Sequence, residues 1–219
     1  MNIVSIGFYA EGTSDYRFLY SIIQRTFEDV AMECKSEIEV HPLEILTTTV
    51  SGFTDEAIAV SRQAEAQGIL VVCLHADADA RTDVATFERK INPALTAVRA
   101  AEPAGCTTLV AVVPVQMMEA WILADKELLK DALGTTSSDH DLGLERAPEA
   151  YADPKEAIEE AIRRAFEHRP HRHRKQVTLG GLYQPLGQKI ALSRLAALPS
   201  YQKFREGVRQ AFRQLNYLH

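Results

Sequence analysis

Two carboxylates, Asp77 and Asp79, stand one residue apart at the end of an apolar run, Ile69-Leu70-Val71-Val72-Cys73-Leu74. A run of that length and composition, entered through Gly68, reads as a strand buried on both faces. If the chain stays extended, residues two apart share a face, so Asp77 and Asp79 point into one small volume. Like charges held that close call for a cation between them or a proton on one of them. A hard divalent cation, Mg2+ or Mn2+, suits oxygen ligands best. A plainer reading makes both aspartates solvated loop residues. His75 alternates with them and could join a metal site, favouring Mn2+ or Zn2+ over Mg2+, although a hydrogen bond near the strand end is the simpler role.

Two further acids fall at comparable places. Glu11 follows the first apolar run, residues 2–10, and Glu119 comes shortly after the run Thr107 to Val113, which Pro114 closes. In open parallel sheets ligands bind outside the carboxyl ends of the strands. Glu11, Asp77, Asp79 and Glu119 therefore form a candidate site for one or two Mg2+ (or Mn2+) ions, with water positions left for a phosphate substrate. Glu11 could instead act as a base, and Glu119 could be an ordinary first-turn helix residue. Asp125 reads as a cap or a solvated group.

The elements that must position these acids follow from periodicity. Gly12 permits a tight turn, Thr13 or Ser14 can cap, and Asp15 suits the first turn of a helix. Phe18, Leu19, Ile22, Ile23 and Phe27 then predict a helix to about Val30. Ile38 to Leu46 is a second strand, with Pro42 marking an edge or an irregularity. A second helix over Ala57, Ile58, Val60, Ala64 and their neighbours ends before Gly68, and a third runs over Thr86 to about Ala101, where Pro93 marks a kink or fresh start. Four strand–helix alternations predict an α/β fold, a mainly parallel sheet of about four strands with right-handed crossovers. The polar stretch 134–148 reads as a loop. Helices alone follow it: one from Asp153-Pro154 to about His168, then two over 187–198 and 200–217. The expected organisation is a catalytic α/β domain over 1–130 and a loop with an all-helical extension over 131–219.

The net charge of −6 conceals a division. Residues 1–150 carry 11 Lys/Arg against 24 Asp/Glu, and residues 151–219 carry 13 against 6. The acidic part suits cations, and the basic part suits a polyanion or an acidic partner; the two parts could also simply attract each other. Arg169, Arg172, Arg174 and Lys175, in the run from His168 to Lys175, together with Lys189, are the candidate phosphate contacts. No apolar run is long enough for a transmembrane helix, and no signal peptide is visible at the N-terminus. The scattered Cys34, Cys73 and Cys106 fit a reducing cytoplasm.

Glu11-Gly12-Thr13-Ser14-Asp15 after one strand, with Asp77-Ala78-Asp79 after a later one, resembles the TOPRIM domain. That domain is shared by topoisomerases, primases and nucleases of the overcoming-lysogenisation-defect type. More narrowly, the chain is similar to a family of bacterial TOPRIM-like proteins of unknown function. The matching segments are Pro114 with Glu119-Ala120-Trp121-Ile122-Leu123-Ala124-Asp125, then Asp153-Pro154-Lys155, and Leu198-Pro199-Ser200-Tyr201-Gln202-Lys203-Phe204. Ala78 stands where a glycine is common. The resemblance implies a TOPRIM/Rossmann-like sheet and a Mg2+ site for cutting nucleic-acid phosphodiesters. It also implies an ABC-type ATPase partner in phage defence. Two other readings of the residues stay open: a non-catalytic subunit docked on such an ATPase, and a metal-dependent phosphatase or phosphotransferase acting on small molecules.

Overall fold

The computed structural model describes residues 2–167 and 177–218. Its first apolar run is two strands rather than one, β1 (Asn2–Val4) and β2 (Ile6–Tyr9). The break falls at Ser5, whose hydroxyl donates to the Gly68 carbonyl and whose carbonyl receives the Leu70 and Val71 amides. Helix α1 (Thr13–Ala31) follows. The second run is split by His41-Pro42-Leu43 into β3 (Ile38–Val40) and β4 (Glu44–Ile45), as a proline without a ladder donor requires. Helix α2 (Phe53–Ala66) leads to β5 (Val71–His75), in which every residue is buried. Helices α3 (Val84–Thr86) and α4 (Asn92–Ala100) are joined by a π-helical turn, Phe87–Ile91, with Pro93 in the first turn of α4. Strand β6 (Leu109–Val112) completes the sheet.

The sheet is parallel, in the order β4-β2-β5-β6, and β1 pairs in parallel with β3 beside it. The expected α/β class with a four-stranded parallel sheet is therefore the observed one. Alternation along the strands divides the core in two. Val71 and Cys73 face one cluster, with Ile6, Phe8, Val110 and Val112; Val72 and Leu74 face the other, against Val60 and Ala64 of α2 and Ala94 and Val98 of α4.

The C-terminal half is helical: α5 (Glu119–Ile122), α6 (Lys126–Leu133), α7 (Asp139–Leu142), a 3-10 turn at Pro148–Ala150, α8 (Pro154–Ala165), α9 (Leu179–Lys189), α10 (Leu192–Leu195) and α11 (Pro199–Gln214). Asp125 and Asp153 cap α6 and α8 by accepting the Leu128 and Glu156 amides. The stretch 134–148 thus holds a short helix, and the helix expected over 187–198 is two others. Helix α9 begins earlier, through Gly180, Gly181 and Pro185, and ends before Ile190 turns extended.

Packing on α1 selects this arrangement over local propensity. At Gly187 the α9 backbone lies so close to α1 that an added Cβ would stand 2.2 Å from the Phe18 carbonyl oxygen. Arg25 of α1 donates to the Gly187 and Ile190 carbonyls at 2.7 Å each, satisfying the C-terminal end of α9. The first core cluster runs from the sheet face through α1 into residues of α5, α6, α8, α9 and α11, and so joins the chain on either side of residue 130. Among the described residues no helix is long and apolar enough to cross a membrane.

Candidate functional site

Strands β2 and β5 lie side by side in register, Phe8 opposite Cys73 and Tyr9 opposite Leu74, so their carboxyl ends release Glu11 and Asp77 at one edge of the sheet. The face that carries Val71 and Cys73 continues through His75. Beyond the last strand residue the ladder with the neighbouring chain persists, Ala76 donating to Val112 and Ala78 to Pro114. Extended geometry therefore holds as far as Asp77 and fails at Asp79, which has a φ of 50° and is exposed. Gln116 is its counterpart on the loop after β6, with a φ of 61°. The Asp79 amide donates to the Gln116 carbonyl at 2.7 Å, and the Gln116 amide to Ala80 at 3.0 Å, which clamps the two loops together. Aspartate is among the few residues that tolerate this left-handed conformation. Strict alternation thus does not bring Asp77 and Asp79 together, and their coupling is electrostatic.

Asp77 is the most perturbed acid of the group. Its Oδ1 is buried and has no hydrogen-bond partner among the described residues. Its carboxyl is pushed up to about 8, first by burial and then by the carboxylates of Asp15, Glu119 and Asp79; the Met118 amide opposes the rise. The Asp77 Oδ1 stands 3.6 Å from His75 Nε2, and Asp15 Oδ2 stands 3.8 Å from the same nitrogen. The His75 ring is buried, with Nδ1 3.0 Å from the Val112 carbonyl oxygen. Burial holds its pKa down, against the pull of Asp15, the Val112 carbonyl and Glu11.

Glu119, at the start of α5, is only 4 % exposed. It accepts a 2.5 Å hydrogen bond from the phenol of Tyr183 on α9. Burial and the Glu119 carboxylate push that phenol far above its ordinary range, so Tyr183 remains a donor at all working pH values. Glu11 is exposed at the rim, where its charge reaches His75 and Tyr9.

The structure thus adds Asp15 and Tyr183 to the acids expected from the sequence. Asp15 has a sequence signal, since it closes the Glu11–Asp15 segment; as a first-turn residue it also receives the Gly12 amide at 3.0 Å. Tyr183 has none, because its segment, Leu179-Gly180-Gly181-Leu182-Tyr183-Gln184-Pro185, does not read as a helix. Trp121, Met118 and Cys73 are core residues. Trp121 Nε1 donates to the Ser200 hydroxyl, which donates in turn to Glu149, fixing α11 against α5.

Of the basic candidates, Arg169, Arg172, Arg174 and Lys175 lie outside the described residues, with the whole run from His168 to Lys175. Lys189 is exposed at the end of α9. The basic residues of α11 turn inward in part: Lys203 pairs with the buried Asp83, Arg205 with Asp29 and Glu33, and Arg209 with Glu33. The two oppositely charged parts of the chain do attract each other there.

Among the described residues no three His, Cys, Asp or Glu side chains are set to hold a metal ion as they stand. The residues fit a cation held through one or two protein groups with water completing its shell, the manner in which Mg2+ commonly binds. The unpartnered, buried Oδ1 of Asp77 is the observation that such a cation would satisfy. A cleft of about 440 Å3 between Asp125, Glu149 and Arg194 does not include these acids.

A family model described as a domain of unknown function, DUF4276, matches residues 10–209. Comparison with curated proteins and with solved structures finds no match.

Proposed function

The chain belongs to the DUF4276 family, and we propose that it is a nuclease that uses Mg2+ or Mn2+ to cleave nucleic-acid phosphodiesters. The single observation behind this reading is Asp77, a half-buried carboxylate whose buried, unpartnered Oδ1 faces an imidazole and whose charge is opposed by Asp15, Glu119 and Asp79 at the carboxyl end of a parallel sheet. Negative charge gathered so closely asks for a cation. The resemblance of Glu11–Asp15 and Asp77–Asp79 to the TOPRIM motifs supplies the reaction class and the kinship to nucleases of the overcoming-lysogenisation-defect type.

In this reading Asp77 anchors the metal, and Asp79, Glu11 and Glu119 complete the site. A divalent cation there would polarise a phosphate and lower the pKa of a bound water. Tyr183 holds Glu119 in one orientation through its 2.5 Å bond, leaving the second carboxylate oxygen available. Glu11, exposed at the rim, is placed to take a proton from an incoming water or to add a ligand. The clamp between Asp79 and Gln116 fixes the outer wall. Phosphate contacts are assigned to Arg169, Arg172, Arg174, Lys175 and Lys189, and the setting to phage defence in the cytoplasm beside an ABC-type ATPase.

One observation favours a second reading. Lys203, Arg205 and Arg209 are spent on internal ion pairs, which reduces the basic surface free to track a strand. A non-catalytic subunit of the ATPase complex needs no such surface. Cleavage of single- and double-stranded DNA and RNA, measured with Mg2+ and with Mn2+ for the wild type beside Asp77→Asn and Asp79→Ala, decides between the two. Metal-dependent cleavage lost in both variants is expected. No cleavage of any polymer by the wild type, with the ATPase present as well as absent, would overturn the nuclease.

A further inference from the structure

We propose that His75 is a direct nitrogen ligand of the metal at this site, and that it biases the site toward Mn2+ over Mg2+. The inference rests on reading the acidic cluster as a metal centre and goes beyond it in assigning a ligand atom and a metal preference.

The tautomer follows from geometry. A backbone carbonyl can only accept, so Nδ1, 3.0 Å from the Val112 oxygen, carries the hydrogen. Nε2 then either bears a second proton or presents a lone pair. Its two acidic neighbours, Asp77 Oδ1 at 3.6 Å and Asp15 Oδ2 at 3.8 Å, are both too far for a hydrogen bond, so no proton is shared with either. Asp77 Oδ1 receives no other donor among the described residues. Nε2 and the unpartnered Oδ1 of Asp77 therefore face one another at 3.6 Å without a hydrogen bond between them.

That gap has the span of a shared cation. With bonds of about 2.1 Å, an imidazole nitrogen and a carboxylate oxygen on one first-row ion stand about 3 to 3.8 Å apart. The far side of the ring shows the usual support of a metal-bound histidine, a ring N–H held by a backbone carbonyl. His75 and Val112 lie opposite each other in the β5–β6 ladder, so this support is built into the sheet register. The ring is buried and held at Nδ1, so little rotamer freedom remains to be lost on binding. An imidazole nitrogen among carboxylates suits a first-row transition ion better than Mg2+, which prefers an all-oxygen shell.

The test is Mn2+ bound to the full-length protein, followed by continuous-wave EPR for affinity and by electron spin-echo modulation for nitrogen at the metal. The wild type is expected to show 14N modulation of the imidazole type. His75→Gln, checked for folding by thermal unfolding in EDTA, is expected to lose it and to bind Mn2+ about tenfold more weakly, with Mg2+ affinity changed less than about threefold. The chain has seven histidines, so modulation that persists in His75→Gln overturns the assignment. Mn2+ bound by the wild type with no 14N modulation overturns it without any variant, and leaves the metal centre standing. A wild type that binds neither Mn2+ nor Mg2+ overturns the metal centre itself, and the ligand with it.

Discussion

Replacing Asp77 with asparagine should stabilise the metal-free protein, by an amount that grows with pH. In the unfolded chain this carboxyl titrates near 3.8; folding pushes it up to about 8. Between those values the folded state holds a proton that the unfolded state has released. Folding stability therefore falls as pH rises through the interval, and the full penalty is reached above about pH 8. Four pKa units at about 1.4 kcal/mol each would amount to about 6 kcal/mol. The Asp77 side chain is 29 % exposed, and solvent screening of that order leaves about 2 kcal/mol. Asparagine keeps the volume and removes the charge, so it should recover that amount at pH 8.5 and almost nothing at pH 4.5. For a chain of this length about 2 kcal/mol moves the unfolding midpoint by about 4 to 8 °C. Thermal unfolding in EDTA across that range, wild type beside Asp77→Asn, measures it. Addition of Mn2+ should then raise the wild type by about 2.7 kcal/mol at a hundredfold excess over Kd and leave the variant nearly unmoved. Parallel curves at all pH values would refute the claim that the site strains against its own charge.

Three further substitutions probe how the site is held. Tyr183→Phe leaves the buried Glu119 without its donor and should cost about 1–3 kcal/mol in urea unfolding; an unchanged midpoint would show that the short bond contributes nothing. Gly187→Ala puts a methyl group against the Phe18 carbonyl and should cost about 1–3 kcal/mol by forcing α9 away from α1; loss of the Tyr183 contact would appear alongside as a drop in Mn2+ affinity. Lys203→Met strands Asp83, whose side chain is 6 % exposed, and should destabilise by about 1–3 kcal/mol in urea unfolding; an unchanged midpoint would argue that the pair contributes nothing to the fold.

Much of the fold is legible because its signals are local. Continuous apolar runs, buried on both faces, identify β2 and β5, Asp153-Pro154 starts α8, and Asp125 caps α6. The breaks at Ser5 and Pro42 are finer, yet Pro42 announces its own irregularity. Helix α9 is the opposite case. Gly180, Gly181 and Pro185 all argue against a helix, and what overrides them is a close approach to α1 that only a residue without a Cβ permits. Nothing local to 179–189 encodes the Phe18 backbone that the helix meets, and so Tyr183 goes unread with it.

The site divides along the same line. Asp77 and Glu119 can be placed from the ends of apolar runs, and Asp79 can be placed but not oriented, because the left-handed turn it shares with Gln116 is a property of two loops rather than one. The perturbation itself comes from the strand period. The alternation that buries Val71 and Cys73 does not stop when the residues become polar; it carries His75 and then Asp77 into the same face, against α1 and its Asp15. A carboxylate two residues later escapes only because the backbone reverses at Asp79. The sheet thus sets one imidazole beside one carboxylate whose inner oxygen, Oδ1, has no donor among the described residues. A cation bound there would satisfy both lone pairs together, as the proposed metal centre requires.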